Sequence, residues 1–143
     1  MRTTEQKLAL FRSCFTGRTD VHGTYDLQFK EARQVKRPVT DEVICDHLEG
    51  RQPYGFYPLV EDRCNVVVAD FDHEDLAGPM EFVAASKRYG ITAYTEKSKR
   101  KGYHCWMFFS TAIPAVKGRK VARLVLADIG LPSTEIFPKQ DAL

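Results

Sequence analysis

The sequence has no apolar run long enough to cross a membrane, and its opening, MRTTEQKLALF, is too polar for a secretory leader. A chain with neither feature is expected in the cytoplasm. No CxxC pair and no Cys/His zinc spacing occurs, and the four cysteines, Cys14, Cys45, Cys64 and Cys105, are scattered. Cys64 and Cys105 lie among strand-forming residues and are expected as reduced, buried small hydrophobes. Internal repeats and low-complexity tracts are absent. The formal net charge is only +2, so the total points to no partner.

What is present is enough for one domain with a buried core: 143 residues, 43% hydrophobic and 28% charged. The charge is unevenly spread. Lys97, Lys99, Arg100 and Lys101 crowd one short stretch, and Lys30, Arg33, Lys36 and Arg37 another. Each cluster alone reads as a solvated loop.

Thr4 to Cys14 reads as a helix capped by Thr3 or Thr4, with Leu8, Phe11 and Phe15 on one face. TGRTDVHGTYD reads as an irregular segment. Thr40 to Leu48 reads as a second helix, with Thr40 as N-cap and Gly50 as its stop, and a short strand is expected at Gly55 to Val60. From Asn65 the pattern is regular. VVVADFD is a strand with the valine run of a sheet centre. Pro79 to Tyr89 is a helix, ITAYTEK a strand, KRKG a turn and YHCWMFFS a strand with His104, Trp106 and Phe108 on one face. Pro114 to Ile129 is a helix, and STEIFPKQ an edge strand cut by Pro138. The expected fold is therefore α+β: a ferredoxin-like or RRM-like split β-α-β-β-α-β unit over about 65–137. The helical and irregular segment 1–60 is expected to pack over or beside its sheet.

The pattern Asp70-Phe71-Asp72 ends the valine-rich strand. Alternation puts both acids on one face. Two like charges that close repel unless a positive group lies between them. Hard oxygen ligands suit Mg²⁺ or Mn²⁺, and such ions serve phosphoryl transfer. His104 and the nearby lysines would meet the charge of a polyphosphate. Each feature also has a plain reading: Asp72 as the cap of the segment HEDLAG, His104 as a packed strand residue, Lys99 to Lys101 as a hairpin tip.

VVVADFD, then SKRKGYHCWMFF, then EIFPKQ, in that order, resemble the archaeo-eukaryotic primase superfamily, in particular the primase–polymerase domains of TOTE conflict systems and CRISPR-associated primase–polymerases. The opening LFRSCFTGRTDVHG and the stretch GFYPLVEDRCNVVVADFD resemble these domains as well, so the likeness spans nearly the whole chain. It implies that residues 1–143 form one primase–polymerase catalytic domain, a template-directed nucleotidyltransferase. Asp70 and Asp72 would be the metal ligands and His104 the contact to the incoming nucleotide, with Ser98, Lys101 and Lys139 as neighbours. Nucleoside triphosphates and a DNA or RNA template and primer are the implied partners, with Arg18, Lys30, Arg33 and Lys36 as candidates for the nucleic-acid backbone. The family's third motif, a hydrophobic residue followed by Asp, has no match before Leu143; Asp141 is the nearest substitute. A fragment is therefore expected, with helicase, nuclease or CRISPR-associated domains downstream in the parent protein. Three other readings stay open: an RRM-like module stacking bases on Trp106 and Phe108, a haloacid-dehalogenase-like phosphatase using Asp70 as nucleophile on a parallel sheet, and a degenerate primase kept as a nucleotide-sensing domain.

Overall fold

A computed structural model describes residues 1–99 and 101–143. Along the chain run α1 (Thr4–Cys14), β1 (His22–Asp26), β2 (Glu31–Val35), α2 (Asp41–Leu48), β3 (Tyr54–Gly55), β4 (Arg63–Phe71), α3 (Ala77–Arg88), β5 (Ala93–Lys97), β6 (Tyr103–Pro114), α4 (Ala115–Asp128) and β7 (Glu135–Phe137). The last four strands form one antiparallel sheet in the order β5-β6-β4-β7. With helices α3 and α4 between the strands, this is the expected ferredoxin-like unit.

The sequence explains why this sheet has two unlike faces. Val67, Ala69 and Phe71 of β4 alternate with Val66, Val68 and Asp70. The first set joins Cys105 and Met107 of β6, Phe82 and Ala85 of α3, and Ala122, Val125 and Leu126 of α4 in one core. Val66, Val67 and Val68 are all buried, as the valine run suggested. Within that core, burial pushes the Cys105 thiol up to about 11 and raises that of Cys64 as well. Cys14 and Cys45 are half-exposed. A thiol reagent at pH 8 is expected to label Cys14 and Cys45 in the folded protein and Cys64 and Cys105 only after denaturation; mass spectrometry of the labelled peptides checks this.

The other face of the sheet carries the N-terminal part of the chain. Helix α1 begins at a capping box in which Thr3 and Gln6 satisfy one another's backbone N–H groups. Just past its end, Phe15 packs edge-on against Trp106 and Phe108, and Phe56 lies nearly parallel to Trp106. Helix α2 starts at Thr40, whose hydroxyl accepts the Val43 N–H. Beside these elements lies a second antiparallel sheet, β2-β1-β3.

That second sheet corrects the expectation of an irregular TGRTDVHGTYD. His22 to Asp26 is a strand, paired in a hairpin with Glu31 to Val35. The turn carries no Asn-Gly or Asp-Gly pair. Instead Asp26 Oδ1 accepts the N–H groups of Gln28 and Phe29, and Lys30 takes the left-handed conformation that glycine usually fills. The strand expected at 55–60 is shorter and earlier, at Tyr54–Gly55. Helix α3 starts two residues before Pro79, which still falls within the first turn, where its missing N–H has no helical partner to lose.

Candidate active site

The pairing of the main sheet aligns four side chains in one row. Glu96 of β5 lies opposite His104 of β6, His104 opposite Asp70 of β4, and Asp70 opposite Glu135 of β7. Directly opposed residues share a face, so the row Glu96–His104–Asp70–Glu135 crosses all four strands on the face away from α3 and α4. The next row inward is Tyr94–Trp106–Val68–Phe137. A charged row therefore borders an apolar, largely aromatic one.

The polar row is connected. His104 Nε2 lies 3.6 Å from Asp70 Oδ1, and its Nδ1 lies 3.4 Å from Glu96 Oε2. The same glutamate oxygen accepts the Trp106 indole N–H at 2.8 Å. The bond to Glu96 holds the His104 imidazole above its ordinary pKa, with Asp70 adding to the effect; the bond to His104 in turn holds Glu96 below the usual carboxylate range. Their mutual stabilisation is lost as pH rises through the raised histidine pKa and as it falls through the lowered glutamate pKa.

Asp70 is the strained member. Burial pushes its carboxyl up; His104 opposes this, Asp72 and Glu135 add to it, and Lys139 opposes it. Glu135 stands directly opposite, a like-charge pair that costs stability in a sheet. Lys139 partly relieves it through an ion pair to Glu135 at 2.7 Å. Asp72 lies one residue beyond β4, exposed to solvent. It is not the cap of α3: Asp75 Oδ1 accepts the Ala77 N–H. The plain capping reading of Asp72 thus fails.

Two clefts meet at Asp70. One, of about 540 Å³, lies between the sheet and the N-terminal segment; Asp70, Glu96, Ser98, Lys99 and His104 line its polar side, and Tyr54, Phe56 and Trp106 its aromatic side. The other, of about 740 Å³, runs past Asp72 toward the start of α3 and the end of α4, and includes Glu135. Of the expected site residues, Asp70, Ser98 and His104 meet in the first cleft. Asp72 lines the second with Asp70. Lys139 reaches the row through Glu135. Lys99 lines the first cleft, whereas Lys101 does not; Arg100 lies outside the described residues. Arg18, Lys30, Arg33 and Lys36 lie outside the first cleft. Arg18 pairs with Asp20, and Arg33 with Asp26 and Glu31. Asp141 is held by Arg119.

Glu96 and Glu135 were not legible as site residues from sequence motifs. Alternation in AYTEK does put Tyr94 and Glu96 on one face, and closing the hairpin with Lys97 opposite Tyr103 sets Glu96 opposite His104. That register is fixed by the turn and not by alternation alone.

The family model for the TOTE conflict system archaeo-eukaryotic primase domain matches residues 26–143. The chain belongs to this family. No curated protein matches it. Primase domains of this kind are nucleotidyltransferases that act on nucleotides and nucleic acid and generally use divalent metals. The primase fold removes the phosphatase reading, because every strand pair in the main sheet is antiparallel and that reading needs a parallel one. Phe15 packs edge-on against both Trp106 and Phe108, so the two rings are not a bare stacking platform, while Trp106 still borders the first cleft. Among the described residues no helix is long and apolar enough to cross a membrane.

Asp70 and Asp72 offer hard oxygens, and the crowding of Asp70, Asp72 and Glu135 is the electrostatic condition a cation relieves. Among the described residues, no three His, Cys, Asp or Glu side chains gather into a cage. Two aspartates therefore fit a cation that takes its remaining oxygens from a bound phosphate, as Mg²⁺ commonly does.

Proposed function

We propose that the cleft on the open face of the main sheet binds a nucleoside triphosphate, and that the protein joins its nucleotidyl group to a primer 3′-hydroxyl on a DNA or RNA template. The observation that carries this reading is the cross-strand pairing of Asp70 with His104 at the mouth of an aromatic-walled cleft. In the reaction the 3′-oxygen bonds to the α-phosphorus, the bond from that phosphorus to the bridging oxygen of the β-phosphate breaks, pyrophosphate leaves, and the hydroxyl proton passes to solvent. Asp70 and Asp72 would hold Mg²⁺ or Mn²⁺. When bound, such an ion lowers the pKa of the attacking hydroxyl and offsets charge on the leaving group.

The chain's own residues do the rest. His104, whose pKa is raised by its bond to Glu96 and by Asp70, offers an N–H and, when protonated, positive charge to the polyphosphate. Lys99 and Ser98 at the hairpin add a cation and a hydroxyl on the same side, with Lys101 flanking them. Trp106, Phe56 and Tyr54 provide an apolar wall for the base and exclude water from it. Lys139 tempers the negative charge around Asp70. Arg18, Lys30, Arg33 and Lys36, set apart from the cleft, would meet the backbone of the template, a contact weakened by salt.

Trp106 is the single tryptophan of the chain and borders this cleft, so its emission is an internal reporter. Titration with dATP or ATP in Mg²⁺ is expected to change Trp106 fluorescence saturably, and chelating the metal is expected to weaken binding by about tenfold or more. A flat titration with both nucleotides contradicts the proposed site.

A further inference from the structure

We infer that Glu96 is a positioning residue for His104: by holding Nδ1 of the imidazole from the neighbouring strand, it turns Nε2 toward Asp70 and the cleft. The inference rests on the reading of the cleft as a triphosphate site, but its geometry stands on its own.

A histidine on an open sheet face can rotate about its side-chain torsions, and its two ring nitrogens are not equivalent. Here one nitrogen is engaged on each side. Glu96 Oε2 lies 3.4 Å from Nδ1, and Asp70 Oδ1 lies 3.6 Å from Nε2. The glutamate is itself fixed, because the same oxygen accepts the Trp106 N–H at 2.8 Å. Trp106 is fixed in turn: Phe15 packs edge-on against it, and Phe56 and Phe108 lie nearly parallel to it. A chain of contacts thus runs from the aromatic packing of the N-terminal segment, through Trp106 and Glu96, to the imidazole that faces the phosphates. A glutamate needed only to satisfy the indole would have no reason to share that oxygen with the histidine. The arrangement resembles the carboxylate–histidine pairs that orient metal-bound imidazoles, where loss of the carboxylate costs about 10–100-fold in metal affinity or activity. Glu96 is exposed to solvent, so an effect nearer the lower end is expected.

The test uses the full chain and Mg²⁺-dATP, with affinity measured by calorimetry. Glu96→Ala is expected to weaken binding by about five- to tenfold. Glu96→Gln, which keeps an oxygen to accept both N–H groups, is expected to stay within about twofold to threefold of the parent. His104→Ala is expected to weaken binding too, and adding Glu96→Ala to it is expected to cost nothing more, since Glu96 then has no imidazole to orient. A glutamate that only supports the fold would cost the same in both backgrounds, and that outcome overturns the inference. A second readout needs no ligand. In a long-range ¹H–¹⁵N spectrum of the free protein, the His104 Nδ1 signal is expected to carry a hydrogen-bonded proton and to lose that signature in Glu96→Ala; an unchanged signal overturns the assignment. If the parent chain fails to bind dATP at all, the triphosphate reading falls, and the imidazole spectrum alone decides the role of Glu96.

Discussion

Asp70→Ala is expected to lower template-directed nucleotide incorporation by at least about 10²-fold, the scale on which removal of one preorganised charge-stabilising group acts. The carboxylate stands at the junction of the two clefts, opposite His104 on one side and Glu135 on the other. Its removal eliminates one of the two hard oxygen donors for a cation and leaves His104 without its acidic partner on the Nε2 side. The same change should not unfold the protein. Asp70 lies in an electrostatically unfavourable setting, pushed up by burial and by Asp72 and Glu135, so its loss relieves repulsion. Thermal stability is expected to hold or rise slightly while incorporation disappears, and that opposition marks a functional carboxylate. Asp72→Ala is expected to act in the same direction. A steady-state primer-extension assay beside a melting curve checks both. Incorporation retained within a few-fold would remove Asp70 from the chemistry.

The largest effect on stability is expected from Gly102→Ala. Gly102 closes the turn between β5 and β6, where its carbonyl accepts the Ser98 N–H at 3.0 Å. Its φ is +87°, and a Cβ there would fall 1.8 Å from the Phe71 carbonyl oxygen. That oxygen is backbone at the end of the strand bearing Asp70, so neither partner can step aside by changing rotamer. Strain from the left-handed conformation and from the overlap together suggest a loss of about 3 kcal/mol, or roughly 6–12 °C in Tm for a domain of this size. Gly50→Ala is the control. Its φ is +74°, with open space around the added carbon, so it carries only the conformational part, about 1 kcal/mol. A Gly102→Ala loss no larger than that of Gly50→Ala would mean that the two strands do not meet as closely as described.

The close approach at Gly102 also explains why the sequence was informative here. The glycine two residues before His104 is what lets β6 start flush against the end of β4, so that the imidazole falls opposite Asp70. The strands of the main sheet could be read from valine-rich and alternating aromatic runs, because burial on one or both faces leaves a period in the sequence. Asp70 and His104 followed from that period. Glu96 and Glu135 did not, since a row across four strands depends on register and register depends on turn lengths, which local patterning does not encode. The β1–β2 hairpin was hidden for a related reason. Its strands are mostly half-exposed or exposed, and its turn relies on an Asp26 side chain and a left-handed Lys30 instead of glycine. Lys101 was named by the family resemblance, whereas the neighbouring Lys99 is the lysine that lines the first cleft, a placement that only the tertiary structure reveals. The covering of Trp106 by Phe15 and Phe56 joins residues far apart in sequence, and only the tertiary structure reveals it.

On the proposed function, the acids at the end of β4 and the imidazole of β6 share one cation-assisted phosphate site. Paramagnetic relaxation by Mn²⁺, added at substoichiometric level with a non-hydrolysable nucleoside triphosphate to isotope-labelled protein, tests it most directly. Amide signals of Ala69 to His73 and of Tyr103 to Cys105 are expected to broaden first and together, while those of Arg63, Cys64 and Ile113, about 20 Å away at the far end of the same two strands, stay sharp. Broadening centred elsewhere, or confined to one of the two strands, would contradict the account.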